Sequence, residues 1–209
     1  MEFIIQNALK NVKETNFNEI EVGQANIKVV GAGGAGNKVV TWLYKKGIKG
    51  AEIIAINTDK QHLDISEADR KILIGRELTR GLGAGGFMDK GRDAAKESMH
   101  ELKDALRDTD MVFICAGLGG GTGTGSAPIV AQLAKEIGAI VIGTVTMPFD
   151  IERARVDKAE YGLQQLRQVS DTVIVIDNNR LVKIAGNLPI KQAFAVANEL
   201  VSTMIKGIV

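Results

Sequence analysis

The sequence predicts an α/β fold: a three-layer, Rossmann-like parallel sheet with helices on both faces. Three observations point there. From residue 27 onward, short β-branched apolar runs alternate with helical patterns, the arrangement of a parallel sheet covered on both sides. Glycine-rich loops punctuate that alternation at Gly31-Ala-Gly-Gly-Ala-Gly36, Gly81-Leu-Gly-Ala-Gly-Gly86 and Gly117-Leu-Gly-Gly-Gly-Thr-Gly-Thr-Gly125. The 209 residues, 45% hydrophobic and 24% charged, are enough for one soluble domain with a proper core.

Residues 1–26 read as a lead-in extension, with a short amphipathic helix over 1–12. Residues 27–30 form the first strand, followed by the first glycine loop and a helix over 37–46 that Gly47 ends. Strands follow at 52–56 and 71–74. The second glycine loop precedes a charged helix from Asp89 to about Arg107. Residues 111–116 are a strand, then come the third loop and a helix over 127–137 capped by Gly138. Residues 140–145 are β-branched and extended, and Pro148 breaks the chain. A helix over 152–169 and a strand over 172–176 complete the alternation. Ligands on such sheets bind at the carboxyl ends of the strands, the edge to which all three glycine loops belong.

The last segment, 190–209, carries apolar residues at Phe194, Ala197, Val201, Met204 and Ile208, with a second row at Ala193, Val196 and Leu200. So wide a stripe belongs to a helix buried on more than one side. The chain stops at an apolar, uncapped Gly207-Ile-Val209, which predicts a further domain beyond it.

Composition excludes several functions. Net charge is +1, which gives no electrostatic case for bulk nucleic-acid binding. No apolar run reaches the roughly 18 residues of a membrane span, and the N-terminus has no signal-peptide core. Cys115 is the single cysteine and lies in an apolar strand, which makes it a small buried hydrophobe and suits a reducing compartment. His62 and His100 stand isolated in polar surroundings and read as solvent-facing, with no metal-ligand cluster around either.

A glycine cluster between a strand and a helix lets backbone amides crowd around an anion, and the helix N-terminus adds partial positive charge. Two such loops, the later one carrying Thr122 and Thr124, suggest a polyphosphate held between them. A dinucleotide fold accounts for Gly31-x-Gly33-x-x-Gly36 and for Asp59 some twenty residues on, but not for the second cradle. A P-loop has the spacing of Gly31 and Gly36, yet Asn37 stands at its lysine position and Val39 at its hydroxyl position, so that pattern fails.

Seven segments in order resemble the tubulin/FtsZ GTPases. They are Gly31–Gly36, Ala55-Ile-Asn-Thr-Asp59, Thr79-Arg-Gly-Leu-Gly-Ala-Gly85, Gly119-Gly-Gly-Thr-Gly-Thr-Gly125, Val145-Thr-Met-Pro-Phe149, Asp177-Asn-Asn-Arg-Leu181 and Ala193-Phe-Ala-Val-Ala-Asn198. Glu152-Arg-Ala-Arg155 and Asp177-Asn-Asn179 are closer to archaeal than to bacterial members. The resemblance implies a GTP-binding domain over 27–188 and a central helix over 189–209, with the family's second domain missing. It implies GTP and GDP as ligands, with Mg2+ held through their phosphates and no metal site of the protein's own. It also implies a cytoplasmic, cell-division GTPase that self-associates head to tail at mid-cell with division-machinery proteins, without nucleic acid or membrane insertion.

Residue by residue, the resemblance assigns Gly33, Gly34, Ala35, Gly36 and Asn37 to the first phosphate loop, with Lys38 where the family usually has asparagine. Asn57 and Asp59 come from the second segment. Gly85 and Gly86 fall where the family senses the γ-phosphate, although Phe87 and Met88 replace the common Asn-Pro. Gly119, Gly120, Gly121, Thr122, Gly123, Thr124 and Gly125 form the signature loop. Glu152 corresponds to the ribose contact and Arg155 to the base-side arginine, one residue closer together than in bacterial members. Phe194 is assigned to stack on guanine, with Asn198 one turn on and Asn178 reading its edge. The family's water-positioning acid comes from a neighbouring subunit, so it is expected beyond Val209. From the residues alone Phe194 fits plain core better, with Asn198 a polar edge, while Asp59 fits a turn cap and Glu152 with Arg155 a surface pair equally well. A dinucleotide-dependent oxidoreductase and a non-hydrolysing scaffold remain the competing function classes.

Overall fold

The computed structural model describes residues 25–185 and 190–209. The expected extension over 1–26 and its short helix therefore lie almost wholly outside the described residues. Strands β1 (Ile27–Ala32), β2 (Ala51–Asn57), β3 (Arg70–Leu73), β4 (Met111–Gly117), β5 (Ile140–Met147) and β6 (Thr172–Asp177) form one sheet in the order β3-β2-β1-β4-β5-β6. Every pairing is parallel; Val29 of β1 lies between Ile53 of β2 and Phe113 of β4.

The helices are α1 (Gly33–Lys45), α2 (Lys60–Asp64), α3 (Arg76–Thr79), α4 (Met88–Glu97), α5 (Met99–Ala105), α6 (Thr122–Glu136), α7 (Ala154–Gln168), α8 (Asn178–Ala185) and α9 (Ile190–Lys206), with a 3-10 turn at Asp150–Glu152. Side chains alternate across each strand and so feed two cores. Val30, Ile54, Ile72 and Ile114 face Ala94, Leu102, Val130 and Leu166 of α4–α7. Val29, Ile53, Phe113 and Cys115 face Val40 and Leu43 of α1, Leu63 of α2 and Ala197, Val201 and Ile205 of α9. Burial on both faces is why the strands read as continuous apolar runs. Cys115 is fully buried, and loss of solvent pushes its thiol up to about 12.

Helix α9 is tied to α1 by polar contacts at the layer's margin. Trp42 Nε1 donates to Glu199 Oε2 at 2.9 Å, and Lys46 pairs with the same carboxylate. These two groups, Lys46 first, hold Glu199 below the ordinary carboxylate range.

Several element boundaries differ from expectation, and helices α2, α3 and α8 were not expected at all. The helix expected from Asp89 to about Arg107 is two helices, because the chain turns at Ser98, whose hydroxyl accepts from the Gly75 N–H at 3.0 Å. Helix α1 begins at Gly33 and α6 at Thr122, so the glycine motifs supply the first turns rather than preceding them. The helix expected from 152 starts at Ala154, after Arg153 takes a left-handed φ of 28°.

A nucleotide-sized cleft at the switch point of the sheet

In this strand order the chain builds outward from β1 through β2 to β3, then returns to β4 and builds the other way. The crevice between the ends of β1 and β4 is the topological switch point, where open α/β sheets hold ligands. The first and third glycine loops leave those two strands. They touch: a Cβ on Gly33 would lie 2.7 Å from Gly123 N, and Gly33 has φ +69°. A Cβ on Gly36 would lie 2.2 Å from Cys115 O. Glycine is required where the two backbones approach so closely.

Behind the first loop stands a buried amide bracket. Asn37 is fully buried; with its amide oriented to match its neighbours, the nitrogen faces Gly31 O (2.8 Å), Gly33 O (3.1 Å) and Ile56 O (3.1 Å) as donor, and the oxygen accepts from Asn57 Nδ2 at 3.1 Å. Asn57 also meets His62 Nδ1 at 3.3 Å and accepts from Asp59 N at 3.2 Å. Satisfied buried amides of this kind fix one backbone shape. Across the crevice, Thr58 Oγ1 and Thr122 Oγ1 are 2.7 Å apart, and Gly119 N donates to Thr124 Oγ1 at 2.9 Å. Thr124 therefore closes its own loop.

The resulting cleft holds about 340 Å³ and brings together ten of the expected site residues: Gly34, Ala35, Gly120, Gly121, Thr122, Gly123, Glu152, Arg155, Asn178 and Phe194. Gly117, Leu118, Thr146, Met147 and Pro148 also line it. The last three belong to the segment Val145–Phe149 already matched to the family, though none was assigned a site role from the sequence. Gly120 is the open point of the signature loop, with nothing within 4 Å of a Cβ. Asn178 begins α8 and is buried, and its Oδ1 has no hydrogen-bond partner among the described residues. A buried acceptor left free beside a cleft fits a ligand N–H.

The other expected residues lie outside the cleft lining. Gly33, Gly36, Asn37 and Asn57 shape the first loop from behind, and Gly119, Thr124 and Gly125 do so for the signature loop. Asp59 is the N-cap of α2, its carboxylate accepting from His62 N at 3.0 Å. Gly85 and Gly86 adopt left-handed conformations in the loop before α4, and Gly86 O accepts from Lys158 at 3.1 Å. Lys38 is exposed and, with Asn198, borders a separate hollow beside Trp42 and His62. His62 is only half exposed and its ring lies 3.6 Å from a Cβ placed on Gly34. That corrects its expected solvent-facing position; His100 is exposed as expected.

Glu152 accepts from Phe149 N at 3.0 Å and from Arg155 at 2.8 Å, which makes it both the turn's internal clamp and an arginine partner at the cleft rim. It is the one carboxylate in the lining. Among the described residues no group of three His, Cys, Asp or Glu side chains could hold a metal ion, and no helix is long and apolar enough to cross a membrane.

Against known proteins, residues 26–186 match the Tubulin/FtsZ family, GTPase domain. The chain is 55% identical over 205 residues to cell division protein FtsZ 2 of Methanocaldococcus jannaschii, covering 98% of this chain and 54% of that protein. It is 54% identical over 188 residues to cell division protein FtsZ 2 of Haloferax volcanii, covering 90% and 47%. The solved structure "FtsZ dimer, empty" from M. jannaschii superposes with a TM-score of 0.85 at 50% identity, over 97% of this chain and 57% of that one. A GDP-bound monomer of CetZ1 from H. volcanii superposes with 0.76 at 27% identity, over 85% and 58%. The chain spans about half the length of the curated relatives it matches.

Proposed function

Because the chain belongs to the tubulin/FtsZ family, as its GTPase domain, we propose that its cleft binds GTP and GDP and that it serves a filament-forming GTPase of cell division. The observation that carries this is the meeting of two glycine cradles at Gly33 and Gly123, on either side of the switch point. A dinucleotide site shares the strand order but needs only one such cradle. Phosphates belong against the amides of Gly34, Ala35 and Gly120–Gly123. The base belongs toward Phe194 and Asn178, and the sugar toward Glu152. Mg2+ would be carried on the nucleotide phosphates, as the family resemblance implies. Residues 27–188 then act as the nucleotide-binding unit and 189–209 as the helix that closes its base side.

Hydrolysis needs an attacking water held in line with the γ-phosphate. Glu152, the lining carboxylate, is already engaged by Phe149 N and Arg155; the family resemblance implies that the water-positioning acid comes from a neighbouring subunit. Leu82, Phe87 and Ile151, 83%, 68% and 88% exposed, lie in the loops at the cleft's edge of the sheet. Apolar side chains so placed favour a second subunit seated over the nucleotide. On this reading the chain acts at the division site through copies of itself.

Phosphate release at fixed GTP tests the shared site. The chain alone should turn over almost no GTP, and addition of the longer M. jannaschii relative should restore hydrolysis. Brisk, concentration-independent turnover by the chain alone would place the catalytic group within it.

A further inference from the structure

Helix α6 has two sides at its first turn. Thr122 and Gly123 line the nucleotide cleft, whereas Thr124 and Gly125 form part of the floor of a second hollow between α4, α6 and α7. We infer that this second hollow is a binding site for a small neutral molecule with one ring and an amide or carbonyl edge, and that its occupant strengthens nucleotide binding through Thr124. The coupling half rests on the nucleotide cleft proposed above; the site itself does not.

Size and chemistry set the ligand class. The hollow holds about 130 Å³, close to the roughly 150 Å³ cavity that admits a benzene ring and well below the nucleotide cleft. Met88, Pro128, Ile129 and Val169 offer apolar contact to the faces of a ring. The amides of Gln132, Gln165 and Gln168 and the hydroxyl of Tyr161 stand around it and both donate and accept. Arg92 is its cation, already paired with Asp89 at 3.0 Å and Asp93 at 3.3 Å. The lining therefore calls for no ligand charge.

Thr124 is the link. It is 2% exposed, and its Oγ1 accepts from Gly119 N at 2.9 Å, the bond that closes the signature loop. A ring packed on the Thr124 side of the hollow holds the rotamer that makes this bond. A ligand that favours the closed loop must tighten any second ligand that needs it. Gly162 gives the opposite perturbation: it lines the same hollow, and a Cβ there would lie 2.4 Å from Thr124 Cγ2, forcing the side chain off that position.

The test uses Gln165→Cys treated with benzyl methanethiosulfonate. The thiolate displaces methanesulfinate and leaves a benzylthio group in the hollow; Cys115, fully buried, does not compete. Calorimetry should show GDP bound at least about fivefold more tightly after labelling. The same label on Lys96→Cys, an exposed α4 position outside the hollow, should change nothing. Gly162→Ala should weaken GDP by a similar factor with its circular dichroism unchanged. Equal GDP affinity with and without the label, or the same gain at both cysteines, would overturn the inference. If the unlabelled chain bound no GDP, the nucleotide assignment would fall, and the site would be judged by benzamide alone: slower labelling of Gln165→Cys but not Lys96→Cys would support it, and no protection would reject it.

Discussion

The ring of Phe194 on α9 meets Phe149 edge to face, with centroids 5.8 Å apart and planes at 62°. Phe149 precedes the turn that Glu152 clamps, so this pair fixes α9 against that rim of the cleft. Phe194 nonetheless remains 42% exposed, which leaves ring surface free for a planar partner. Phe194→Ala should weaken GDP binding about tenfold, within the range of base–aromatic stacking, and move the thermal midpoint little. Unchanged affinity by calorimetry would remove the ring from the site.

Gly33 and Gly120 make a contrasting pair. Gly33→Ala forces an alanine into φ +69° and places its Cβ 2.7 Å from Gly123 N. It should cost about 2 kcal/mol of stability and abolish nucleotide binding by prising the cradles apart. Gly120→Ala meets nothing within 4 Å and should keep wild-type stability while weakening GDP, since its Cβ projects where phosphate would approach. Chemical denaturation and calorimetry on both variants separate the two effects; full GDP affinity in Gly33→Ala would refute the two-cradle geometry.

Lys38 is absent from the lining of the nucleotide-sized cleft and borders the separate hollow with Trp42 and Asn198. Lys38→Asn should therefore leave both GDP affinity and its salt dependence unaltered. A loss that shrinks at high salt would mean the ammonium reaches the phosphates, because charge pairs open to solvent are screened.

Acid stability follows from three carboxylates. Arg70 lowers Asp104, Lys135 and then the Val141 N–H lower Asp171, and Lys46 and then Trp42 lower Glu199. With folded values depressed, the unfolded chain binds more protons in acid. The stabilisation is present above the ordinary carboxylate range, near about pH 4, and is lost as pH falls through the lowered folded values. The thermal midpoint should drop below about pH 4, and Glu199→Gln should flatten that acid limb. A midpoint independent of pH down to about 2 would contradict the assignment.

Most strands and the layer order were legible because burial on both faces leaves uninterrupted apolar runs. The helix starts were not. Gly123 and Gly125 are poor helix formers, yet they sit in the first turn of α6 because only glycine clears Gly117 O and Ala32 O on one side and Met88 O on the other. The turn at Ser98 depends on its bond to Gly75, 23 positions away, which periodicity cannot register. At the site, the glycine motifs marked the cradles, but not which residues face the cleft. Asn37 and Thr124 turn inward to hold the loops, and Asn198 points to the neighbouring hollow, choices made by tertiary packing. His62 looked isolated because its partners, Asn57 and Gly34, adjoin it only in the folded chain.

Titration calorimetry of the chain with GTP, ATP and NAD tests the central assignment most directly. On the proposed reading, Oδ1 of buried Asn178, which has no partner among the described residues, would accept a hydrogen bond from the base edge, and a polar group left unmatched discriminates strongly. GTP should bind at least about a hundredfold more tightly than ATP, Asn178→Ala should narrow that ratio, and NAD should not compete. Equal affinity for GTP and ATP, or preferential binding of NAD, would contradict the assignment of the cleft to guanine nucleotides.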